Sequence, residues 1–365
     1  MATSGAESGR ERCARCHCYR LPVRNRIRLL VPAAAVAAGV LAGVATGVAG
    51  AGAVASLCVA AAVLLLGGLQ VLVVEHLRRV RRRLDRMDRN MDKARWTTQG
   101  SGATAGDGDL AATKWVDGIP LPPEQLRFMR ETDEKFLTTA DQLARLLLTN
   151  GLRADSSVLD AGCGYGRLAV GLLRSGDFAG SYLGFDILPR HIAWCNGTIG
   201  RVSTRYTFEH LDLLNQRYNP TGLLDADVAE YPAADGSFDM CALFSVFTHL
   251  YRPTVEHYLS EIERVLRPGG VAVTSWLVFD EERLPEVVSD SAAYPLRLEH
   301  ADGSRYMLEE DPLRAIGFER DAVAAMAGNA GLEVASIELG YWAGGKIGVK
   351  PGAEFQDIVI LTKPS

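Results

Sequence analysis

Beyond about residue 115, short apolar runs alternate with amphipathic segments, which is the pattern of an α/β domain. Strand-like runs are predicted at 157–161, 181–186, 206–210, 238–244, 270–277, 332–340 and 355–363. The stretches between them carry apolar residues at helical spacing. Strands that alternate with helices in this way favour a doubly wound, mostly parallel sheet, and we expect this domain to occupy residues 115–365.

A different pattern lies near the N-terminus, where Leu29–Val74 passes without a charged side chain. As one helix this stretch would be about 69 Å long, roughly twice the hydrocarbon thickness of a bilayer. It therefore predicts a transmembrane hairpin over 27–75, with spans at about 29–49 and 54–74. A cleaved signal peptide is the main alternative, but the apolar run is far longer than the apolar region of an ordinary signal sequence.

Arginine-rich segments flank the predicted hairpin on both sides. Residues 1–26 predict a disordered basic tail, and residues 76–114 predict a basic juxtamembrane helix followed by a flexible linker. Basic residues on both sides place both ends in the cytoplasm. We therefore expect a multi-pass protein of the cell membrane with a cytoplasmic catalytic domain. The arginines after the hairpin are expected along anionic lipid headgroups, although a solvated basic helix explains them nearly as well.

Charge is unevenly distributed along the chain. Met1–Arg95 carries 16 basic and 6 acidic side chains, a net charge of +10, and the remainder carries −15. A domain that binds nucleic acid normally presents a basic face, and none is evident after Arg95. We therefore expect no nucleic-acid partner.

The cysteines do not indicate a disulfide framework, because they are scattered and several fall within apolar segments. Cys13, Cys16, His17 and Cys18 form a cluster with metal-ligand spacing. A structural zinc site usually draws a second ligand pair from elsewhere, and the sequence supplies no such pair. We therefore expect no metal.

The stretch Ser157–Leu173 joins a short apolar strand, an acidic residue, a glycine-rich turn and a helix. Gly162, Gly164 and Gly166 allow a tight turn with no side chain to block a ligand at the helix N-terminus. The third glycine comes one residue too early for a dinucleotide loop, with Arg167 where that pattern wants glycine, and the turn has no lysine to hold a triphosphate. The spacing favours a nucleotide-cofactor loop that is neither a dinucleotide loop nor a P-loop.

Within this stretch the run VLDAGCGYGR resembles the first motif of class I S-adenosylmethionine-dependent methyltransferases of the bacterial type. The resemblance extends from about Pro120 to the C-terminus. It implies S-adenosyl-L-methionine as the cofactor and a Rossmann-like sheet of seven strands, six of them parallel and the seventh antiparallel at the sheet edge. In that family the acidic residue at the strand end and the glycine turn surround the methionine part of the cofactor.

The resemblance also implies which residues hold the cofactor. Asp186 at the end of strand 2 is expected to accept the ribose hydroxyls, and Asp212 after strand 3 is expected to meet the adenine amino group. A helix cap is the alternative role for Asp186, and an ordinary loop position is the alternative for Asp212. The full predicted set is Asp160, Gly162, Cys163, Gly164, Gly166, Asp186, Ile187, Leu211, Asp212 and Ser245.

Residues on the acceptor side are expected after strand 4. The run FDMCALFSVFTHL resembles the family's fourth motif and makes His249 the candidate general base, with packing or support of the cofactor as the alternative. An insertion at 279–317, with a predicted hairpin around Asp302-Gly303, is expected to cap the acceptor pocket. The candidate pocket residues are Trp276, Tyr341 and Trp342, although loop aromatics are more often packing anchors.

Together these features predict a membrane-anchored methyltransferase that acts, at oxygen, on a small-molecule acceptor or on a lipid- or glycan-linked one. An acceptor nitrogen or carbon stays open, because the evidence for a general base is a single histidine. Two other classes also stay open: a non-catalytic S-adenosylmethionine-binding sensor or scaffold, and a hydride-transfer enzyme that uses the same type of fold.

Overall fold

The computed structural model describes residues 107–128, 131–345, 347–350, 352 and 354–365. The predicted basic tail, the hairpin at 27–75 and the cysteine cluster at 13–18 lie outside these residues. Most of the predicted linker also lies outside them.

The predicted multi-pass membrane localisation is corrected by the structure. Among the described residues no helix is both long and apolar enough to cross a membrane. The longest of them, Asp133–Thr149, has 17 residues with charged side chains among them, whereas a span requires about 20 predominantly apolar residues. The predicted spans at 29–49 and 54–74 fall outside the described part of the chain.

Strands and helices alternate along the described chain. The strands are β1 (Lys114–Val116), β2 (Ile119–Leu121), β3 (Ser157–Ala161), β4 (Ser181–Asp186), β5 (Tyr206–His210), β6 (Phe238–Leu243), β7 (Leu266–Trp276), β8 (Val278–Phe279), β9 (Leu298–Glu299), β10 (Arg305–Tyr306), β11 (Ile316–Glu319), β12 (Glu333–Glu338) and β13 (Asp357–Thr362). The α-helices are α1 (Asp107–Ala111), α2 (Asp133–Thr149), α3 (Arg167–Ser175), α4 (Pro189–Gly197), α5 (Ile199–Val202), α6 (Arg252–Val265), α7 (Leu284–Val287) and α8 (Arg320–Asn329). Short 3-10 helices are Glu124–Leu126, Phe247–His249, Pro312–Arg314 and Tyr341–Ala343.

Seven strands form the main sheet, in the order β12-β13-β7-β6-β3-β4-β5. The ladders from β7 to β5 are parallel, and β13 runs antiparallel to both of its neighbours. The predicted Rossmann-like, mostly parallel sheet of seven strands is therefore confirmed. The predicted edge position of the antiparallel strand is wrong, because β13 lies between β12 and β7. Nearly all of β13 is buried, as an interior strand requires, whereas β12 has only exposed and half-buried residues.

The central strands are apolar because they are covered on both faces. Successive residues of β3 enter different clusters: Val158 packs with the buried residues of α2 and α3, and Leu159 packs with those of α6 and α8. Helices α2 and α3 approach each other very closely at Gly171, where an added Cβ would stand 2.0 Å from the carbonyl oxygen of Ala140. A side chain at this position would force α2 away from the sheet.

The insertion between β7 and α8 forms a small second sheet in the order β8-β11-β10-β9. Strands β9 and β10 make the predicted hairpin, in which Gly303 has φ +81°. Asp302 Oδ1 accepts hydrogen bonds from the backbone and the hydroxyl of Ser304, at 2.9 and 2.7 Å. An ion pair between Asp311 and Arg217 connects the insertion to the segment between β5 and β6.

A buried ion pair joins the start of the insertion to β13. Arg283 and Asp357 are 1% and 0% exposed, and Arg283 Nη1 lies 2.7 Å from Asp357 Oδ1. Asp357 also accepts hydrogen bonds from the backbone N–H groups of Val278 (2.5 Å) and Gly340 (2.7 Å) and from the indole of Trp342 (2.7 Å). Burial raises the pKa of Asp357, while the guanidinium and these N–H donors act in the opposite direction.

The variant Asp357→Ala tests this network. It leaves the guanidinium of Arg283 buried without its partner, so we expect the free energy of unfolding to fall by roughly 3–5 kcal/mol. Urea denaturation of the full chain measures the change. Asp290→Ala is the matched control, because Asp290 is 98% exposed in its ion pair with Arg297 and such pairs contribute about 0–1 kcal/mol. Equal losses in the two variants would contradict the assignment.

Candidate functional site

The candidate site lies at the carboxyl edge of the main sheet, where β3, β4, β5 and β6 end. Strands β4 and β5 lie on one side of β3, and β6 and β7, which come later in the chain, lie on its other side. Ligands of open α/β sheets bind beyond this edge, at the point where the strand order reverses. The four connections carry the glycine loop, Asp186, Asp212 and His249.

The glycine loop, residues 162–166, is fixed to β4 by backbone hydrogen bonds. Its three glycines have φ between +54° and +77°, a region that residues with a Cβ rarely adopt. The N–H groups of Gly162 and Cys163 both donate to the carbonyl oxygen of Phe185, at 2.8 and 3.0 Å. The side chain of Cys163 is buried, so this residue meets a ligand only through its backbone.

The loop leaves room for a ligand on one side. A Cβ at Gly162 would stand 2.5 Å from Val246 Cγ2, so the backbone there packs against the segment after β6. At Gly164, by contrast, no described atom beyond the glycine and its two chain neighbours lies within 4 Å of the position that a Cβ would take. Gly166 is the N-cap of α3, and the N–H groups of a helix N-terminus favour an anionic group.

Asp160, near the end of β3, is 3% exposed and accepts a hydrogen bond from the hydroxyl of Tyr182 at 2.5 Å. Burial raises the pKa of Asp160 to about 7; the bond from Tyr182 opposes this change, and the nearby carboxylate of Asp186 adds to it. The carboxyl group is therefore balanced between its neutral and charged forms near neutral pH. A bound cation would favour the charged form.

Asp186, at the end of β4, holds the glycine loop in place. Its Oδ2 accepts a hydrogen bond from the N–H of Gly164, and its Oδ1 accepts one from the N–H of Leu188, each at 2.8 Å. Burial raises the pKa of Asp186, and these N–H donors oppose the change. Asp186 does not cap α4, because the N-cap of that helix is Leu188.

Asp212 orders the connection that follows β5. Its Oδ1 accepts a hydrogen bond from the amide of Asn219 at 2.8 Å, and its Oδ2 accepts one from the N–H of Leu223 at 3.3 Å. Leu211 and Ile187 are half-buried and pack against the apolar cluster on the α6 side of the sheet. Contact between these residues and an adenine stays a prediction.

Ser245 has a strained backbone, with φ +58°, and lies directly beyond β6. Its N–H donates to the hydroxyl of Ser275 at 2.7 Å, and its own hydroxyl donates to Gln356 Oε1 at 3.0 Å. The hydroxyl of Ser275 donates to the same oxygen at 2.7 Å. Strain that neighbouring contacts maintain in this way is typical of functional sites, and it keeps Ser245 in the candidate set.

His249 lies in the 3-10 helix Phe247–His249, after β6. Its Nδ1 is 2.8 Å from the carbonyl oxygen of Leu313 in the insertion. Because a carbonyl only accepts hydrogen bonds, Nδ1 carries the proton and Nε2 is the basic nitrogen. Burial lowers the pKa of His249 to about 4, so the imidazole is neutral at physiological pH.

Two of the three predicted pocket aromatics are corrected. Trp276 and Trp342 are 0% exposed, so neither ring faces an open pocket. Their indole N–H groups donate to Thr274 Oγ1 and Asp357 Oδ2, each at 2.7 Å. Both side chains are packing anchors, the first at the end of a buried strand and the second in the buried ion-pair network. Tyr341 is 53% exposed and stays a candidate.

Sequence reasoning missed a group of rings along the carboxyl edge, which we term the aromatic row. Each connection that leaves β3, β4, β5 and β6 contributes one ring, and a further ring lies against them from the segment before α2. Two members were visible in motifs, since Tyr165 lies within the glycine motif and His249 is the predicted general base. The sequence did not indicate a role for Phe128 at the site, because this residue belongs to no recognised motif. The row consists of Tyr165, His191, Tyr218, His249 and Phe128.

A buried carboxylate fastens the segment before α2 to the glycine loop. Glu131 Oε1 accepts hydrogen bonds from the hydroxyl of Tyr165 at 2.8 Å and from Arg167 Nη2 at 2.5 Å. The backbone N–H of Phe128 donates to the same tyrosine hydroxyl at 3.3 Å. The segment before α2 therefore lies over the loop and forms one side of the site.

Comparison with known proteins places a methyltransferase domain over this site. Residues 159–274 match a family model described as a methyltransferase domain. The match includes the glycine loop, Asp186, Asp212 and His249. The prediction of an enzyme with S-adenosylmethionine as its cofactor is confirmed at the level of this domain.

Individual relatives are similar to part of the chain. Two sterol 24-C-methyltransferases of Gibberella zeae, ERG6B and ERG6A, are 27% and 32% identical over 46% and 36% of this chain. The 27-O-demethylrifamycin SV methyltransferase of Amycolatopsis mediterranei is 29% identical over 42% of it. The matches cover 41%, 30% and 53% of those three proteins. The chain thus matches from 30% to 53% of the length of these relatives, and the activity of the whole protein is a matter of proposal.

The buried carboxyl of Asp160 gives a pH-dependent prediction. Its pKa is raised from 3.8 to about 7, so the folded state holds a proton that the unfolded state has released. Stability is then lost as the pH rises through that range. The amide of Asp160→Asn does not titrate, so this variant lacks the loss. We therefore expect its free energy of unfolding, relative to that of the wild type, to rise by roughly 2–3 kcal/mol from pH 5 to pH 8.

Chemical denaturation at the two pH values measures this gain. Asp155→Asn is the control, because Asp155 is 86% exposed, and we expect its difference from the wild type to stay constant. If the stability of Asp160→Asn changes with pH in parallel with that of the wild type, the carboxyl group does not retain its proton on folding.

Proposed function

We propose that this chain transfers the methyl group of S-adenosylmethionine to an oxygen atom of a small, largely apolar acceptor. The observation that carries the proposal is the placement of His249. Its Nδ1 is engaged by Leu313 of the insertion, which defines Nε2 as the nitrogen that accepts a proton. It lies at the same sheet edge as the glycine loop, beside the ring of Tyr218 at 5.3 Å.

The residues of the site fit the cofactor. The left-handed glycine loop has open space at Gly164, and Arg167 beside it has a buried Nε without a partner. When bound, S-adenosylmethionine supplies a methyl group on a sulfonium centre that is already activated for displacement. Asp160 and the loop would hold its methionine part, Asp186 its ribose, and Asp212 with Leu211 and Ile187 its adenine. Ser245 would border the methyl group.

His249 would position the acceptor hydroxyl and take its proton at Nε2. The pKa of about 4 keeps this nitrogen free to accept at every physiological pH, but it also makes the imidazole a weak base. General-base catalysis is worth about 10²- to 10⁴-fold and grows as the pKa approaches the working pH. We therefore expect a contribution at the lower end of this range, with orientation of the acceptor providing much of it.

The acceptor side of the site is apolar and aromatic. Tyr218 belongs to the aromatic row, and Tyr341, Phe355 and Tyr294 form a second set of ring contacts at 5.3 and 5.8 Å. Such surfaces favour an acceptor with a large apolar body and few polar groups. The names of the relatives, two for sterols and one for a demethylrifamycin, support acceptors of this kind.

Carbon methylation is the second candidate, because two of the three relatives are named for carbon methylation of sterols. The hydrogen bond at Nδ1 of His249 favours methylation at oxygen, because it leaves Nε2 as a proton acceptor. Such an acceptor is needed most where a hydroxyl loses its proton. Radiolabelled methyl transfer to a panel of sterols, phenols and fatty acids, followed by identification of the methylated atom, distinguishes the two.

Binding of the cofactor is the first test. Calorimetric titration of the full chain with S-adenosylmethionine, S-adenosylhomocysteine and NAD should show micromolar binding of the first two, about −8 kcal/mol, and none of NAD. Binding of NAD alone would favour a hydride-transfer enzyme. Binding of S-adenosylmethionine without transfer to any member of the panel would favour the sensor.

The variant His249→Ala tests the role of the imidazole. We expect kcat for the methylated panel member to fall about 10²-fold, with the affinity for S-adenosylhomocysteine unchanged. Because the pKa of His249 is about 4, the imidazole should add no inflection to the wild-type kcat between pH 5.5 and pH 8, measured at saturating S-adenosylmethionine. His257→Ala is the matched control, since His257 contacts the carbonyl oxygen of Ala229 away from the aromatic row. A rate in His249→Ala equal to that of the control would exclude a catalytic role.

A further inference from the structure

The aromatic row converges on Phe128. The ring centroid of Phe128 lies 5.6 Å from that of Tyr165, 5.5 Å from that of His191 and 6.1 Å from that of Tyr218. These three rings belong to the connections after β3, β4 and β5. Tyr218 in turn meets His249, after β6, at 5.3 Å. One ring from outside the sheet therefore lies against rings from three of the four connections at the ligand-binding edge.

Phe128 differs from its neighbours in exposure. Tyr165 and His191 are 2% and 7% exposed, whereas Phe128 is 46% exposed. Its backbone is nonetheless fixed, because its N–H donates to the hydroxyl of Tyr165, which Glu131 and Arg167 hold in turn. The half-exposed ring is thus held at the site with part of its surface available to a ligand.

The carboxylates of the same edge are already engaged. Asp186 accepts two backbone N–H groups, Asp160 accepts the hydroxyl of Tyr182, and Glu131 is paired with Arg167. Each of these three carboxylates therefore already has a hydrogen-bond partner within the protein.

The faces of aromatic rings carry negative potential and attract poorly hydrated cations. The guanidinium groups of Arg167 and Arg217 already lie over the rings of Tyr165 and Tyr218, each 5.3 Å from the ring centroid. Among the described residues no guanidinium or ammonium group lies over the half-exposed ring of Phe128 in this way.

The two histidines of the row do not oppose a cation. Burial lowers the pKa of His191 and of His249 to about 4 in each case. Both rings are therefore neutral at physiological pH, so neither histidine adds a positive charge to the row.

We propose that Phe128 forms the contact surface for the sulfonium of S-adenosylmethionine, so that the site distinguishes the charged cofactor from its neutral product, S-adenosylhomocysteine. The proposal rests on the proposed function and extends it, because it assigns a discriminating residue outside the segment that matches the methyltransferase domain. Its chemistry is a cation–π contact between the ring face and a centre that loses its charge when the methyl group leaves.

Calorimetry of the full chain with three ligands tests the contact. The ligands are S-adenosylmethionine, S-adenosylhomocysteine and sinefungin, which carries an amine in place of the sulfonium. In Phe128→Leu we expect the affinities for the two charged ligands to fall by roughly threefold to tenfold, with the affinity for S-adenosylhomocysteine changed by less than about twofold. Phe128→Tyr should keep the wild-type ratio.

Phe178→Leu is the matched control. Phe178 is half-buried, meets the ring of Tyr206 edge-on at 6.2 Å, and precedes β4, at the opposite edge of the sheet. Its replacement should leave all three affinities unchanged. Thermal unfolding of each variant shows whether the fold is retained.

Three outcomes would overturn the proposal. An equal loss of affinity for all three ligands in Phe128→Leu would make Phe128 a general cover of the site, and unchanged affinities would remove it from the cofactor altogether. If the wild type binds none of the ligands, both the proposed function and this inference fail. Wild-type binding with no selective loss in the variant overturns this inference alone.

Discussion

The end of β4 holds the glycine loop in its position at the candidate site. The carbonyl oxygen of Phe185 accepts two N–H groups of the glycine loop, and the carboxylate of Asp186 accepts a third from the same loop and a fourth from Leu188. These bonds exist only in the observed register, in which Asp160 pairs with Gly184. A shift of one residue would turn the side chain of Asp186 to the other face of the sheet and release the loop.

Much of this arrangement follows from local sequence, because parallel strands buried on both faces are short, continuous apolar runs. The runs at 157–161 and 181–186 match β3 and β4 residue for residue, and the spacing of the three glycines indicated the type of loop. Strand order is not a local property, and this explains the misplaced antiparallel strand. The apolar sequence of β13, DIVILT, is compatible with an interior position. Only the pairing of β13 with both β12 and β7 establishes that position.

The positions of candidate site residues were predictable where a motif marks the end of a strand, and not where contacts join distant segments. The roles of these residues stay predictions. Asp186 and His249 lie at strand ends that the sequence identified. Whether a loop aromatic faces the core or a ligand depends on packing, and for that reason Trp276 and Trp342 were misassigned. Phe128 was missed for the opposite reason, since its partners lie from 37 to 90 positions away along the chain. The predicted localisation rested on composition outside the described residues and does not stand.

The geometry of the insertion has a consequence for how this fold diversifies. Its first and last strands, β8 and β11, lie side by side in the small second sheet, with Val278 paired to Phe318, so the two ends of the insertion lie next to each other. A segment attached in this way can change in length or sequence with little effect on the strands that carry the candidate cofactor residues. It also supplies Leu313, which orients His249. Under the proposed function, exchange of this one contiguous segment would alter acceptor preference and the orientation of the imidazole together, while the glycine loop is inherited unchanged.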